Sequence, residues 1–199
     1  MNAGVDEAGR GSLLSRVYAA AVILPDDFDE LCKASNIVLK DSKKMSVVDR
    51  NRTRKFIETH AVDFGVGFAE SEEIDKMNIL QATMFAMHRA LSQLSWIDKI
   101  LVDGNYFKPF ADIPYECIIG GDDKEQSISA ASILAKTYRD EYVELLVDEN
   151  PILEEYGVRR NKGYGTEEHR KAVQRLGLTP FHRRTFCKFK NKMIIDKLK

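Results

Sequence analysis

The chain is predicted to fold as an α/β protein in which one mixed sheet is covered by helices. Three observations lead there. Five apolar or β-branched runs, at residues 3–5, 17–24, 62–69, 100–102 and 115–119, are of strand length. The first two are close enough in sequence to pair as neighbours. The later ones alternate with stretches of helical period, the pattern of strands and helices sharing one sheet.

The first strand carries two adjacent acids, Asp6 and Glu7, just ahead of Gly9-Arg10-Gly11. Successive strand residues point to opposite faces, so the two carboxylates can serve one ligand only if the backbone bends. The two glycines permit a bend and a close approach of backbone to ligand. Residues 17–24 form an unbroken apolar run. Ser46 is placed to cap a helix reaching about residue 60, with Asp49 three positions on, as in a capping box. Asn78 caps a second, in which Leu80, Thr83, Met87, Ala90 or Leu91, and Leu94 recur at helical spacing. A third spans about 126–147 and sets Ile128, Ala131, Leu134 or Ala135, Tyr138, Tyr142 and Leu145 on one face. Its small Ser127, Ala130, Ala131 and Ser132 let its start lie close to a sheet. Pro151 ends that region, and a last helix near 167–176 is closed by Gly177.

Length and composition fit one domain: 199 residues, 44% hydrophobic and 31% charged. No apolar stretch approaches the ~20 residues that span a bilayer, and the acidic N-terminus lacks the basic region of a signal peptide. Cys32, Cys117 and Cys187 are scattered, which argues against a disulfide scaffold or cysteine zinc site and for a reducing cytoplasm. The net charge of −1 hides an asymmetry. Residues 156–199 hold thirteen Lys or Arg against three acids, while the remaining residues hold seventeen against twenty-eight. An acidic site joined to a basic surface is the footprint of a protein that meets a polyanion. Tyr164, Phe181, Phe186 and Phe189 interleave with the basic residues, which favours nucleic acid over a merely solvated face.

Two further acids stand at strand ends. Asp103 follows Ile100-Leu101-Val102 and precedes Gly104; Asp122 follows Gly120-Gly121 ahead of the third helix, with Asp123 as the alternative beside it. The C-terminal ends of strands in α/β sheets are a common place for function. Three or four carboxylates suit a pair of hard divalent ions, Mg²⁺ or Mn²⁺, the requirement of two-metal phosphodiester cleavage. His60, His88, His169 and His182 lack zinc-site spacing, so His169 and His182 are expected to make hydrogen bonds or to meet phosphate.

Read as motifs, the chain resembles ribonuclease HII (type 2 ribonuclease H) along nearly its whole length. The matching blocks are Gly4-Val5-Asp6-Glu7-Ala8-Gly9-Arg10-Gly11; Asp41-Ser42-Lys43-Lys44-Met45-Ser46; Glu73-Ile74-Asp75 with Asn78-Ile79-Leu80, Ala82-Thr83 and Ala86-Met87; Asp103-Gly104-Asn105; Gly120-Gly121-Asp122 with Ser127 to Lys136 and Arg139-Asp140; and Asn161-Lys162-Gly163-Tyr164-Gly165-Thr166 with His169, Gly177, Thr179-Pro180 and His182-Arg183. Six blocks in order are highly specific. The resemblance implies a ribonuclease H-like five-stranded sheet flanked by helices with a helical, basic C-terminal region. It implies an endonuclease acting on RNA/DNA hybrids and on DNA containing ribonucleotides, with Asp6, Glu7, Asp103 and Asp122 as metal-site acids. Gly9, Arg10 and Gly11 would sense the 2′-hydroxyl, and Tyr164 would pack on the next deoxyribose. Lys43 would contact phosphate, with Lys136 and Arg183 as further candidates, and Asp140 would be supporting structure.

One block departs from the family. Where Pro-Leu-x-Gly-Pro usually follows the Gly-Arg-Gly loop, this chain has Ser12-Leu13-Leu14-Ser15-Arg16. If the turn needs a positive φ at position 15, Ser15 is strained by about 1 kcal/mol. Rival readings are a ribonuclease HIII, which carries an extra N-terminal domain; a non-catalytic nucleic-acid clamp weakened at Ser12, Ser15 and Arg16; and a generic Mg²⁺ phosphatase, which has no need of the basic region. The C-terminal tail has no aromatic pair of the sliding-clamp kind, and no obligate protein partner is expected.

Overall fold

In chain order the elements are β1 (Asn2–Ala8), β2 (Val17–Ile23), α1 (Phe28–Ala34), α2 (Val47–His60), β3 (Asp63–Ala69), α3 (Ser71–Met77), α4 (Ile79–Leu91), β4 (Lys99–Asp103), β5 (Tyr115–Ile118), α5 (Gln126–Glu149), α6 (Val158–Asn161) and α7 (Glu167–Leu176). Short 3₁₀ turns at Gly121–Asp123 and Pro151–Tyr156 flank α5. The structure, a computed structural model, describes residues 1–39, 42 and 45–188. Lys43, expected to contact phosphate, lies outside the described residues.

The five predicted strands form one mixed sheet in the order β3-β2-β1-β4-β5. β1 and β2 pair antiparallel, as do β2 and β3; β4 and β5 run parallel to β1. The C-terminal ends of β1, β4 and β5 therefore meet along one edge. Side chains alternate across β2, so its two faces serve two cores. Val17, Ala19, Ala21 and Ile23 pack with Ala82, Ala86, Met87 and Ala90 of α4, while Ala20 and Val22 pack with Ala130, Ala131 and Leu134 of α5, Phe28 of α1 and Ile57 of α2. A third cluster joins the last part of α5 (Val143, Leu146, Val147) to Leu153, Val158 and Val173 of the C-terminal region. α5 thus couples the sheet to the basic end of the chain.

Close contact with the sheet depends on small residues, as expected for the start of α5. A side chain at Gly4 would lie 2.2 Å from the Ser127 carbonyl carbon. The expected caps are present. Ser46 Oγ accepts from the Asp49 amide at 3.1 Å, Asn78 Oδ1 accepts from the Gln81 amide at 3.1 Å, and Gly177 closes α7. The helices α1 and α3, seven residues each, were not anticipated; α3 opens with a reciprocal capping box between Glu70 and Glu73. Among the described residues no helix is long and apolar enough to cross a membrane.

Candidate active site

Sheet topology brings the predicted acids to one edge. β1 carries Asp6 and Glu7, and β4 ends in Asp103, one step beyond the paired Val5 and Val102. β5 leads through Gly120, in left-handed conformation, to the 3₁₀ turn that holds Asp122 and Asp123. The Gly121 amide donates to Asp103 Oδ1 at 2.8 Å, tying that turn to the end of β4. Asp122 is half-buried and Asp123 exposed.

Asp6 is the most enclosed of the four, 6% exposed and facing α5 with Gly4 and Ala8. Burial, then the charges of Glu7 and Asp103, push its carboxyl well above the ordinary carboxylate range. The opposing pull comes from a hydrogen bond with Ser132 of α5 and from the Glu7 amide, which donates to Asp6 Oδ1 at 2.7 Å. Ser132 Oγ in turn lies 3.0 Å from Ser42 Oγ, both buried. This Ser42–Ser132–Asp6 chain links the 41–46 block to the acids. Sequence shows Ser132 as a small residue within a matching block and gives no sign of this contact. β1 stays regular through Ala8, and the bend permitted by glycine comes one residue later, at Gly9 with φ +92°. Glu7 accepts from Arg10 Nη1 at 3.3 Å.

The acids supply hard oxygen donors whose mutual repulsion is already expressed at Asp6, and this donor chemistry fits divalent cations. Among the described residues, however, no three His, Cys, Asp or Glu side chains form a ready-made metal cage. The donor set fits an ion in kind, with Asp6, Glu7, Asp103 and Asp122 as the residues that would hold it.

Beside the acids lies a second expected group. Ser12 and Tyr164 form an isolated antiparallel bridge, and the Leu13 amide donates to the Gly163 carbonyl at 2.9 Å. A Cβ at Gly11 would lie 4.0 Å from Tyr164 Cε1, and Tyr164 is 36% exposed. The Gly9-Arg10-Gly11 loop and Tyr164, far apart in sequence, thus share one surface with the acids at its margin.

Three expected cations behave differently from one another. Arg10 is exposed beside Glu7. Lys136 is mostly buried, donates to Asp140 Oδ1 at 2.7 Å, and is shifted below its ordinary range by burial. Asp140 also accepts from Arg50 at 3.4 Å, which fits the supporting role expected of it. Arg183 requires a correction. It was a candidate phosphate contact, yet it is fully buried and spends its guanidinium on backbone: Nε donates to the Ser15 carbonyl and Nη1 to the Arg10 carbonyl, both at 2.9 Å. Burial and the neighbouring Arg139 charge lower its pKa to about 9. A side chain so enclosed holds the loop from beneath and cannot reach a duplex. His169 and His182 are also buried, bonded to one another and to backbone.

The departure at 12–16 is accommodated at some cost. Ser15 does adopt a positive φ, +81°, and its buried hydroxyl has no hydrogen-bond partner. Arg16 compensates, sandwiched 4.0 Å from the Phe68 ring centre and 3.9 Å from that of Tyr142 while paired to Glu70 at 2.6 Å.

A mixed five-stranded sheet with carboxylates at the ends of its parallel strands is the framework of ribonuclease H-like enzymes, and solved structures show the likeness. The ribonuclease H2 of Pyrococcus horikoshii OT3 superposes with a TM-score of 0.74 at 27% identity, covering 94% of each chain. The ribonuclease HII of Archaeoglobus fulgidus, solved as a complex with PCNA, gives 0.78 at 22% identity over 98% of each chain. In sequence, residues 3–189 match the family profile of ribonuclease HII. Ribonuclease HII of Christiangramia forsetii is 50% identical over 198 residues, 99% of this chain and 93% of that protein. The chain belongs to the ribonuclease HII family, whose members are metal-dependent endoribonucleases of the ribonuclease H class.

Proposed function

We propose that this protein hydrolyses the RNA strand of RNA/DNA hybrids and nicks duplex DNA on the 5′ side of single embedded ribonucleotides, leaving 3′-hydroxyl and 5′-phosphate ends. The observation that carries the reading is the joint placement of Asp6, Glu7 and Asp103 at one sheet edge next to the surface shared by Gly11 and Tyr164. A carboxylate cluster serves any phosphodiester. A loop and an aromatic ring beside it give a means of telling one sugar from the next, and the 2′-hydroxyl is what separates RNA from DNA at a given site.

Within this reading Asp6, Glu7, Asp103 and Asp122 hold Mg²⁺ or Mn²⁺, two ions in all. A pair of such ions, when bound, supplies the activation of water and the neutralisation of the leaving oxygen. The protein's own groups orient and discriminate. Backbone groups of Gly9, Arg10 and Gly11 contact the ribose 2′-hydroxyl. Tyr164 offers its ring to the following deoxyribose, where a 2′-hydroxyl would be driven against an apolar face without a partner. Lys136, ion-paired to Asp140, is a further candidate for a phosphate contact. The whole chain acts as one catalytic domain, the positive charge of its 156–199 region favouring a polyanionic duplex, and it works in the cytoplasm in the removal of ribonucleotides from DNA. Against the non-catalytic alternative, the chain keeps an acid at each of the four positions, Asp6, Glu7, Asp103 and Asp122. The test is cleavage of a DNA duplex holding one ribonucleotide, with Mg²⁺, with Mn²⁺ and in excess chelator. Cleavage with either ion and none in chelator supports the reading; cleavage that persists in chelator refutes it.

A further inference from the structure

Arg139 is the largest charged side chain on α5, and it is fully buried. Its position is unusual because it touches both halves of the sugar-reading surface. One nitrogen, Nη2, donates to Ser12 Oγ at 2.9 Å and to the Lys162 carbonyl at 2.6 Å. The guanidinium carbon lies 5.0 Å from the centre of the Tyr164 ring. On the other side, a Cβ at Gly9 would fall 2.2 Å from Nε, so the loop can pass only because residue 9 has no side chain. Ser12 Oγ completes the link by donating to the Leu14 carbonyl at 2.6 Å.

Stability alone does not explain a charge in this place. The carboxylate nearest to it, Asp140 Oδ1, is 3.5 Å away, and Nε has no hydrogen-bond partner. A buried charge with so loose a counter-ion is commonly matched or bettered in stability by an apolar side chain of similar volume. What an apolar residue lacks is a rigid planar fork that can hold two backbone segments at a fixed separation.

We propose that Arg139 is a positioning residue for substrate discrimination: it fixes the gap between the Gly9–Gly11 loop and the Tyr164 ring, and so sets how strictly the enzyme requires a ribose followed by a deoxyribose. The inference rests on the junction-reading role given above to that loop and ring. Arg139 touches no reacting atom, so its effect appears in the choice between substrates more than in the chemistry common to all of them.

The experiment measures kcat and KM on two substrates, a DNA duplex with one embedded ribonucleotide and a uniform RNA/DNA hybrid, together with melting temperature. The variants are Arg139→Lys, Ser12→Ala, Tyr164→Ala and the double variant Arg139→Lys/Tyr164→Ala. Lys keeps the charge but not the fork, and Ser12→Ala removes one hydroxyl without touching the buried guanidinium. Both should lower the ratio of single-ribonucleotide to hybrid cleavage by roughly tenfold, the scale of a small misplacement in a reading site. Adding Tyr164→Ala to Arg139→Lys should lower that ratio little further, because both act through one contact. Equal loss on both substrates with an unchanged ratio overturns the proposal, as does full additivity of the two substitutions. A wild-type protein that cleaves neither substrate removes the junction reading itself, a different outcome from a wild type whose preference survives in Arg139→Lys.

Discussion

The imidazoles of His169 and His182 face each other Nε2 to Nε2 at 3.1 Å. Their outer nitrogens fix the proton inventory. His182 Nδ1 accepts from the Thr179 amide at 3.0 Å, so its proton sits on Nε2 and points to His169. His169 Nδ1 lies 3.0 Å from the Tyr164 carbonyl, which can only accept. Both rings are therefore neutral, one donating to the other, and the chain of bonds ends on the backbone of Tyr164.

A pH dependence of stability follows. Burial, then the neighbouring ring, push His182 down to about 3, and burial also lowers His169. Below the ordinary histidine value of about 6.5 the unfolded chain binds protons that the folded chain refuses. Stability should hold above that pH and fall as pH drops toward 3, by up to about 1.4 kcal/mol per pH unit for each such group. Denaturant melts at pH 7, 6, 5 and 4 measure the slope. His182→Asn should flatten it, and an unchanged slope in that variant would show that the histidine pair is not its source.

Ser15 offers a gain in stability. With φ at +81° and an unpartnered buried hydroxyl, it has two local reasons to be unfavourable. Ser15→Gly removes both and should stabilise by about 1 kcal/mol, visible as a higher melting temperature. A lower melting temperature would mean that the serine makes a compensating interaction.

Replacing the acids should separate folding from activity. Asp6→Asn and Asp103→Asn remove a charge without changing size, and either should cut activity by orders of magnitude. Since the Asp6 carboxyl is raised in the fold, its ionised form weakens the protein at neutral pH, and that penalty fades as pH falls through the raised value. In chelator, Asp6→Asn should therefore melt at or above the wild type. Asp122→Asn should impair activity and Asp123→Asn should leave it nearly unchanged. The reverse order would move the fourth acid to Asp123.

Much of this geometry was legible in the residues, and the exceptions have physical reasons. Strand cores and the caps at Ser46, Asn78 and Gly177 could be read because each depends on residues within a few positions. β1 runs from Asn2 to Ala8, beyond the expected 3–5, because pairing with β2 carries two acids that no β propensity would place in a strand. The helices α1 and α3 are too short for a helical period to emerge. Ser132 reaches Asp6 across the sheet, a contact that no local pattern encodes. Most of all, sequence does not show which cations are buried. Arg183 belongs to the same block as the exposed Tyr164, and Arg139 to the block before it, and only packing turns the two arginines inward.

The corrected place of Arg183 changes what its replacement should do. Lys188 and Arg184 are exposed, so replacing either by Ala should weaken duplex binding and reduce its salt dependence by about 0.9 per lost phosphate contact. Arg183→Ala should instead cost about 3 kcal/mol of stability through two lost charged hydrogen bonds to backbone. Duplex binding measured from low to physiological salt, beside melting curves, distinguishes them. Binding by the wild type that ignores salt would return the basic region to a solvated face.

We propose that this site nicks DNA at the 5′ side of a lone ribonucleotide by attack of water held at the acids. End-group analysis of the products from a duplex with one labelled ribonucleotide, cleaved in Mg²⁺, tests it most directly. The expected products are a 3′-hydroxyl on the upstream strand and a 5′-phosphate on the ribonucleotide, with neither formed by Asp6→Asn. A 2′,3′-cyclic phosphate, or a cut on the 3′ side of the ribonucleotide, would contradict it.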